Sequence, residues 1–514
     1  MRRGGWFTLI IMSLATFITC FDATFMNVSI QNLIQDLDTT LPFVQAMISI
    51  YSLTMACLIL PGAKLQDILG RKETFILGAV IYGIGALIST LSVNGIMLLV
   101  GWSLLEGIGA AMMIPATVAF LTATYHDEDR TFAFGIWSAV VSIAGFVGPI
   151  LGGFITTWYS WRYGFAMEII IIIFMLLYSR KLIKIDPILK WEELDVWGAV
   201  LSVLGIFLLV LGILELNNLK RWDIAGFTII AAIIILVTFY WWQKKRINQG
   251  LNPLLNINLF KNLEFKLGSF IKIVDSLGSA GISFVIPVFI LTVMDGTAFT
   301  AGLALFIPVT GLLIASLTVS RITKIIKPIK VISIGFALAI VGCFILSNTL
   351  NLESTLWDII PGMTLIMFGL GLVIPLGTNL IMSSAGERKE SDASGVANVS
   401  NTLGSSMGTA LIGVILILGV FWGLQTSIQD QFPGKYSTQE INDNLPTWYD
   451  QINKTSLSVL KTTRDPDNIV AGRIVDGTIR KSTSITFYSI AFVFFLGLIS
   501  SLLLWLRTRS SVKY

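Results

Sequence analysis

The residues with chemistry to offer are ionisable side chains stranded inside apolar runs. Asp22 stands in Asp22-Ala-Thr-Phe-Met-Asn27, Glu106 in Ser103-Leu-Leu-Glu106-Gly107, Glu168 in Ala166-Met-Glu168-Ile-Ile, and Lys272 with Asp275 in Lys272-Ile-Val-Asp275. Each lies in a stretch long enough to cross a bilayer, where an ionisable group costs about 2.5–3.5 kcal/mol on insertion scales. Proton binding, pairing or contact with a charged solute can offset that cost. Asp22, in the outer half of its run, is the first candidate for a proton or cation site; the alternative is a carboxylate hydrogen-bonded for packing specificity. Lys272 and Asp275, three residues apart on one helical face, can neutralise each other. A proton or substrate competing for Asp275 would make that pair a coupling device. Glu215, at the outer end of its run, reads as solvated.

Other chemistries lack their residues. The single histidine, His126, excludes multi-histidine metal sites, and no His/Cys cluster has metal-ligand spacing. Cys20, Cys57 and Cys343 all fall in apolar runs, so no disulfide framework is implied. No nucleophile–base pair or phosphate loop is visible. Neither an enzyme nor a bound metal or cofactor is expected, and a membrane enzyme or a non-transporting sensor is a distant alternative.

The elements that must carry these groups are membrane helices. Of 514 residues, 54% are hydrophobic and 13% charged, where a soluble domain carries about 25% charged residues. Apolar runs of about 20 residues recur along the chain, each able to span a hydrocarbon core as a helix; barrel strands would be shorter and alternating. Fourteen spans are predicted, at 7–29, 42–62, 73–93, 96–124, 132–158, 162–178, 195–216, 224–242, 265–292, 299–320, 331–350, 358–382, 395–422 and 485–507. The N-terminal Met1-Arg2-Arg3 and its apolar run read as a retained first span rather than a signal peptide.

Basic residues orient the spans. With the N-terminus in the cytoplasm, the inside loops hold most of the lysines and arginines, whereas the short outside loops hold only Arg162, Lys220 and Arg221. Both termini are therefore expected in the cytoplasm. The basic loops are topology signals and imply no nucleic acid. Segment 423–484, polar and broken by Pro433-Gly434 and Pro446, is expected to be a partly ordered external loop without a large core.

Two motifs add direction. Gly62-Ala-Lys-Leu-Gln-Asp67-Ile-Leu-Gly70-Arg71-Lys72 joins spans two and three. Gly70 suits a tight reversal, and Asp67 and Arg71, one turn apart, can pair or exchange partners as a latch. Span five carries Gly145-Phe-Val-Gly148-Pro149-Ile-Leu-Gly152-Gly153, small residues that let helices approach beside a proline that loosens the backbone. Together these resemble the signatures of the major facilitator superfamily. Trp137-Ser138 and Trp161-Arg162-Tyr163 add a likeness to its fourteen-span drug:proton antiporters (EmrB/QacA-like). The stretches Pro253–Phe260, Ala301–Pro308 and Ala393–Ala410 continue that likeness through the second half.

The resemblance implies an all-α membrane protein with two six-helix bundles, each of inverted three-helix repeats, and two added helices. The expected divisions are 1–178, 179–264 and 265–514. It implies proton-coupled efflux of hydrophobic or cationic compounds by a monomer in the cytoplasmic membrane, in contact with lipid and protons. Export or facilitated passage of one specific metabolite, with other ion coupling, is the alternative. Two departures stand out. The span-four motif R-x-x-Q-G has Ser103 in place of its arginine and Glu106 in place of its glutamine, and Glu168 occupies the usual asparagine position of span six. The first half thus loses a cation and gains two carboxylates, whose charged forms burial disfavours.

Overall fold

A computed structural model describes residues 3–39, 41–184, 187–216, 221–294, 296, 298–386, 389–433 and 466–510. Apolar side chains in runs of this length leave the backbone to satisfy its own hydrogen bonds, which a helix does within one segment. Fourteen helices are long and apolar enough to cross a membrane. We number them α1 (Arg3–Val28), α2 (Leu41–Leu69), α3 (Arg71–Thr90), α4 (Gly95–Thr124), α5 (Asp127–Trp158), α6 (Arg162–Tyr178) and α7 (Val196–Glu215). The rest are α8 (Trp222–Asn248), α9 (Leu263–Thr292), α10 (Ala298–Ile322), α11 (Pro328–Thr349), α12 (Leu356–Ala385), α13 (Glu390–Gln431) and α14 (Pro466–Ser510). Polar residues at the starts of several helices accept their orphan N–H groups: Asn94 from Met97, Asp195 from Gly198 and Asn262 from Glu264.

The packing repeats. In the first half α1 lies on α5, α3 on α4, α2 on α4 and α3 on α6; in the second, α9 lies on α13, α11 on α12, α10 on α12 and α11 on α14. These are two six-helix bundles of one design. The extra helices α7 and α8 pack on each other, and α7 lies against both α2 and α13. One apolar cluster joins the bundles: Leu60, Phe120 and Phe134 of the first share it with Phe265, Ile381 and Val396 of the second. A separate cluster around Phe21, Phe25, Trp102, Trp161 and Phe165 fills the other end of the first bundle.

Two stretches differ from expectation. Helices α13 and α14 run on into segment 423–484, because they pack on each other beyond the apolar core. A Cβ on Gly419 would meet Ser482, Lys481 Nζ lies 2.7 Å from Asp430 Oδ2, and Leu424 and Ile428 pack with Ile474. The middle of the expected loop, 434–465, lies outside the described residues. Within α4, Leu99–Glu106 is a π-helix, a widened turn that apolar periodicity does not reveal and that recurs at functional sites.

Candidate functional site

Three of the candidate carboxylates come together. Asp22 sits about 9 Å short of the end of α1, and Glu168 about 9 Å past the start of α6, at ~1.5 Å per residue. Glu106 closes the π-turn of α4. All three side chains are fully buried. One oxygen from each lies within 4.8 Å of the others.

Each carboxylate has one donor. Trp102 Nε1 donates to Asp22 Oδ2 at 2.7 Å, Ser89 Oγ to Glu106 Oε1 at 3.0 Å, and the Tyr82 hydroxyl to Glu168 Oε2 at 3.3 Å. The remaining oxygens, Asp22 Oδ1, Glu106 Oε2 and Glu168 Oε1, have no hydrogen-bond partner. Tyr51 stacks on Trp102 with ring centroids 5.5 Å apart. Its hydroxyl faces Asp22 without closing a hydrogen bond of good geometry. Gly85 admits α4: a Cβ there would fall 2.7 Å from Glu106 Cγ and 2.6 Å from the Gly101 carbonyl.

Among the described residues no lysine or arginine pairs with the three carboxylates. At the position where the span-four motif led to an arginine being expected, Ser103 is fully buried and donates to the Met47 carbonyl at 2.9 Å, tying α4 to α2. Two ionised carboxylates at this spacing repel by about 3 kcal/mol even at an effective dielectric of ~20. Three charges cannot be held here without protons or a bound cation. The expectation of no metal site rested on histidine and cysteine alone; folding also assembles an oxygen-donor cluster from three distant segments.

The other two candidates form a second, separate site. Lys272 Nζ is 3.3 Å from Asp275 Oδ2 within α9, both groups are buried, and Asp275 Oδ1 has no partner. Beside it Ser276 Oγ donates at 2.8 Å to Asn401 Oδ1 of α13. Asn401 is exposed within a membrane helix, and the polar pair marks it, although the sequence analysis passed over it. Trp102, Tyr82, Ser89 and Tyr51 were missed as well. Two signals existed: Trp102 precedes Glu106 by one helical turn, and Tyr82 and Ser89 share a face of α3.

The α2–α3 motif closes one end of the molecule, though not by the expected pair. Arg71 finds a carboxylate in the second bundle, the chain turning at Gly70 with φ +94°, a backbone setting that favours glycine. Lys64 instead lies 3.0 Å from Asp67 and 3.4 Å from Asp392, and Arg71 lies 2.7 Å from Glu390 while donating to the Ala119 carbonyl at 3.1 Å. Lys72 reaches the carbonyls of Arg180 and Leu182. Asp392 and Glu390 open α13, so these bonds join the two bundles. At the same end a Cβ on Gly395 would lie 3.1 Å from Ala63 Cβ, and Lys324 lies 2.6 Å from Glu128.

In the span-five motif, Gly148 meets α1 at Thr24, and Gly152 is buried. Gly145 and Gly153 have open space where a Cβ would stand, so the close approach at Gly148 is not shared by those two glycines. Pro149 lies in α5, its side chain outside the described set. Trp137 Nε1 donates to Thr16 Oγ1 at 2.8 Å, a further tie between α5 and α1.

Fourteen apolar helices make this a multi-pass membrane protein. The family model of the Major Facilitator Superfamily matches residues 12–409, and the chain belongs to that superfamily. It is 26% identical over 419 residues to the methylenomycin A resistance protein of Bacillus subtilis (strain 168), covering 81% of this chain and 89% of that one. It is 28% identical over 445 residues to the probable multidrug resistance protein EmrY of Escherichia coli (strain K12), covering 83% and 82%. To the tetracenomycin C resistance and export protein of Streptomyces glaucescens it is 25% identical over 451 residues, covering 87% and 80%. The crystal structure of the human organic anion transporter MFSD10 (TETRAN) shares the fold, with a TM-score of 0.63 over 97% of this chain and 99% of that one at 11% identity.

Proposed function

We propose that the protein is a proton-coupled exporter of hydrophobic or cationic small molecules, working by alternating access, in which Asp22, Glu106 and Glu168 carry the coupling protons. The buried three-carboxylate cluster is the observation that carries this reading. It has three acceptor oxygens without donors and, among the described residues, no lysine or arginine to balance it. Loss or gain of its protons therefore changes the charge buried in the first bundle, a large electrostatic effect in a region of low dielectric. The names of the relatives, which include resistance and export proteins, support the substrate class.

The basic loops support a cytoplasmic α2–α3 end. The state described is then closed to the cytoplasm, with the cluster near the outer end, where protons arrive. Protonation lowers the cost of keeping the carboxylates buried, and the ion pairs of Lys64 and Arg71 release when the cytoplasmic side opens. Lys272–Asp275 and Asn401 offer polar contacts for a solute from the second bundle.

Everted vesicles containing the protein test this directly. An imposed proton gradient is expected to drive uptake of a fluorescent lipophilic cation, and Asp22→Asn is expected to abolish that dependence. Uptake that persists after the gradient is collapsed would remove the antiport mechanism.

A further inference from the structure

We infer that Asp22, Glu106 and Glu168, together with the Tyr51 hydroxyl, form a binding site for a divalent cation of calcium size. Oxygens bound to one Ca2+ at roughly 2.3–2.6 Å can be no more than about 5 Å apart, and the three carboxylate oxygens lie within 4.8 Å of one another. The donor set is all oxygen, as such hard cations require. The Tyr51 hydroxyl is the independent sign. The residue is 2% exposed, its ring is fixed against Trp102, and its oxygen faces the cluster without a hydrogen-bond partner.

The outer oxygens are arranged to support a ligand. Trp102, Ser89 and Tyr82 each hold one oxygen of a carboxylate and leave the other free. Such second contacts orient ligands and tune affinity. Charge selects the valence: a dication leaves one excess negative charge, which these three donors offset, whereas a monovalent ion would leave two. Magnesium is disfavoured because it demands octahedral geometry at short distances and gives up water reluctantly, and Trp102, which holds Asp22, belongs to an apolar cluster with Phe21, Phe25 and Phe165. Protons compete for the same oxygens, so binding weakens as pH falls. The titratable groups facing the cluster are Tyr51 on α2, Tyr82 on α3 and Cys20 on α1.

The inference concerns cation binding and stands whether or not the exported solute is a drug. Mn2+ serves as a spectroscopic probe, with the free ion followed by electron paramagnetic resonance in the presence of the purified full-length protein at alkaline pH. Saturable binding of one Mn2+ per chain is expected, displaced by Ca2+ but not by Mg2+, and lost at acid pH. Asp22→Asn and Glu168→Gln should each weaken it at least about tenfold, Tyr51→Phe by a smaller factor, and the exposed Glu353→Gln not at all. Thermal unfolding with and without Ca2+ checks that each variant folds and gives a second reading: Ca2+ should raise the Tm of the unmodified protein and of Glu353→Gln, and not that of Asp22→Asn or Glu168→Gln. Absence of saturable binding to folded protein, or binding that survives Asp22→Asn and Glu168→Gln, would overturn the site.

Discussion

Trp102 is the residue on which the carboxylate cluster turns. Its indole N–H is the donor to Asp22 and its ring is the platform for Tyr51. Trp102→Phe keeps an aromatic ring and removes the donor, leaving a buried carboxylate oxygen unsatisfied. We expect a loss of about 1–3 kcal/mol, read as a lower Tm in detergent, together with a changed pH profile of transport. An unchanged profile would mean that Asp22 does not take part in coupling. Ser103 poses a related question, since it binds a backbone carbonyl at the position where the span-four motif led to an arginine being expected. Among the described residues no lysine or arginine balances Asp22, so two further carboxylates can share its pocket only with protons or a cation.

At the scale of elements, the start of α13 acts as the bolt of the closed end. Arg71 is 7% exposed and its carboxylate partner is Glu390. Removing one partner of a buried pair costs about 3–5 kcal/mol. Glu390→Ala should therefore loosen this end and raise the reactivity of a cysteine placed at Ala63. A charge swap of Arg71 and Glu390 should recover only part of the loss, because Arg71 also donates to the Ala119 carbonyl, a bond that glutamate cannot make. Full recovery would show that the pair acts by charge alone. The α7–α8 unit is tied in at the same place. Asp195 accepts from Gln243 and Trp242 of α8 and from the Leu254 N–H beyond it, and the Asn256 N–H donates to Asp392. Asp195→Ala strands several donors and should lower Tm by more than the loss of one hydrogen bond.

For the whole molecule, alternating access requires the closed end to open. The Cβ positions at Ala63 and Gly395 would stand 3.1 Å apart, close to the Cβ spacing of a disulfide, about 3.5–4.5 Å. A double variant, Ala63→Cys with Gly395→Cys, should cross-link under oxidant, stop transport, and recover with reductant. Continued transport by the cross-linked protein would mean that this end need not separate. The three native cysteines are unpaired, and Cys57 and Cys343 are buried, so the engineered pair should dominate the response. The repeated packing of the two bundles suits such a rocking motion, each half moving as a unit about the contacts between them.

Hydropathy was enough to place fourteen spans, because each helix meets lipid or its neighbours over a full membrane thickness and satisfies its own backbone. The polar groups within those spans were legible one by one for the same reason: each is costly wherever it packs. The chain alone also marked the α2–α3 turn through Gly70. It could not say that Asp22, Glu106 and Glu168 meet, since they lie on three helices and depth along a helix says nothing about rotation or about a π-turn that shifts one face. It likewise suggested Asp67 as partner for Arg71, whereas the reversal at Gly70 sends Arg71 to Glu390, far along the chain. Those pairings depend on how helices cross and how closely glycines such as Gly85 and Gly395 let them approach, and only the tertiary structure decides that.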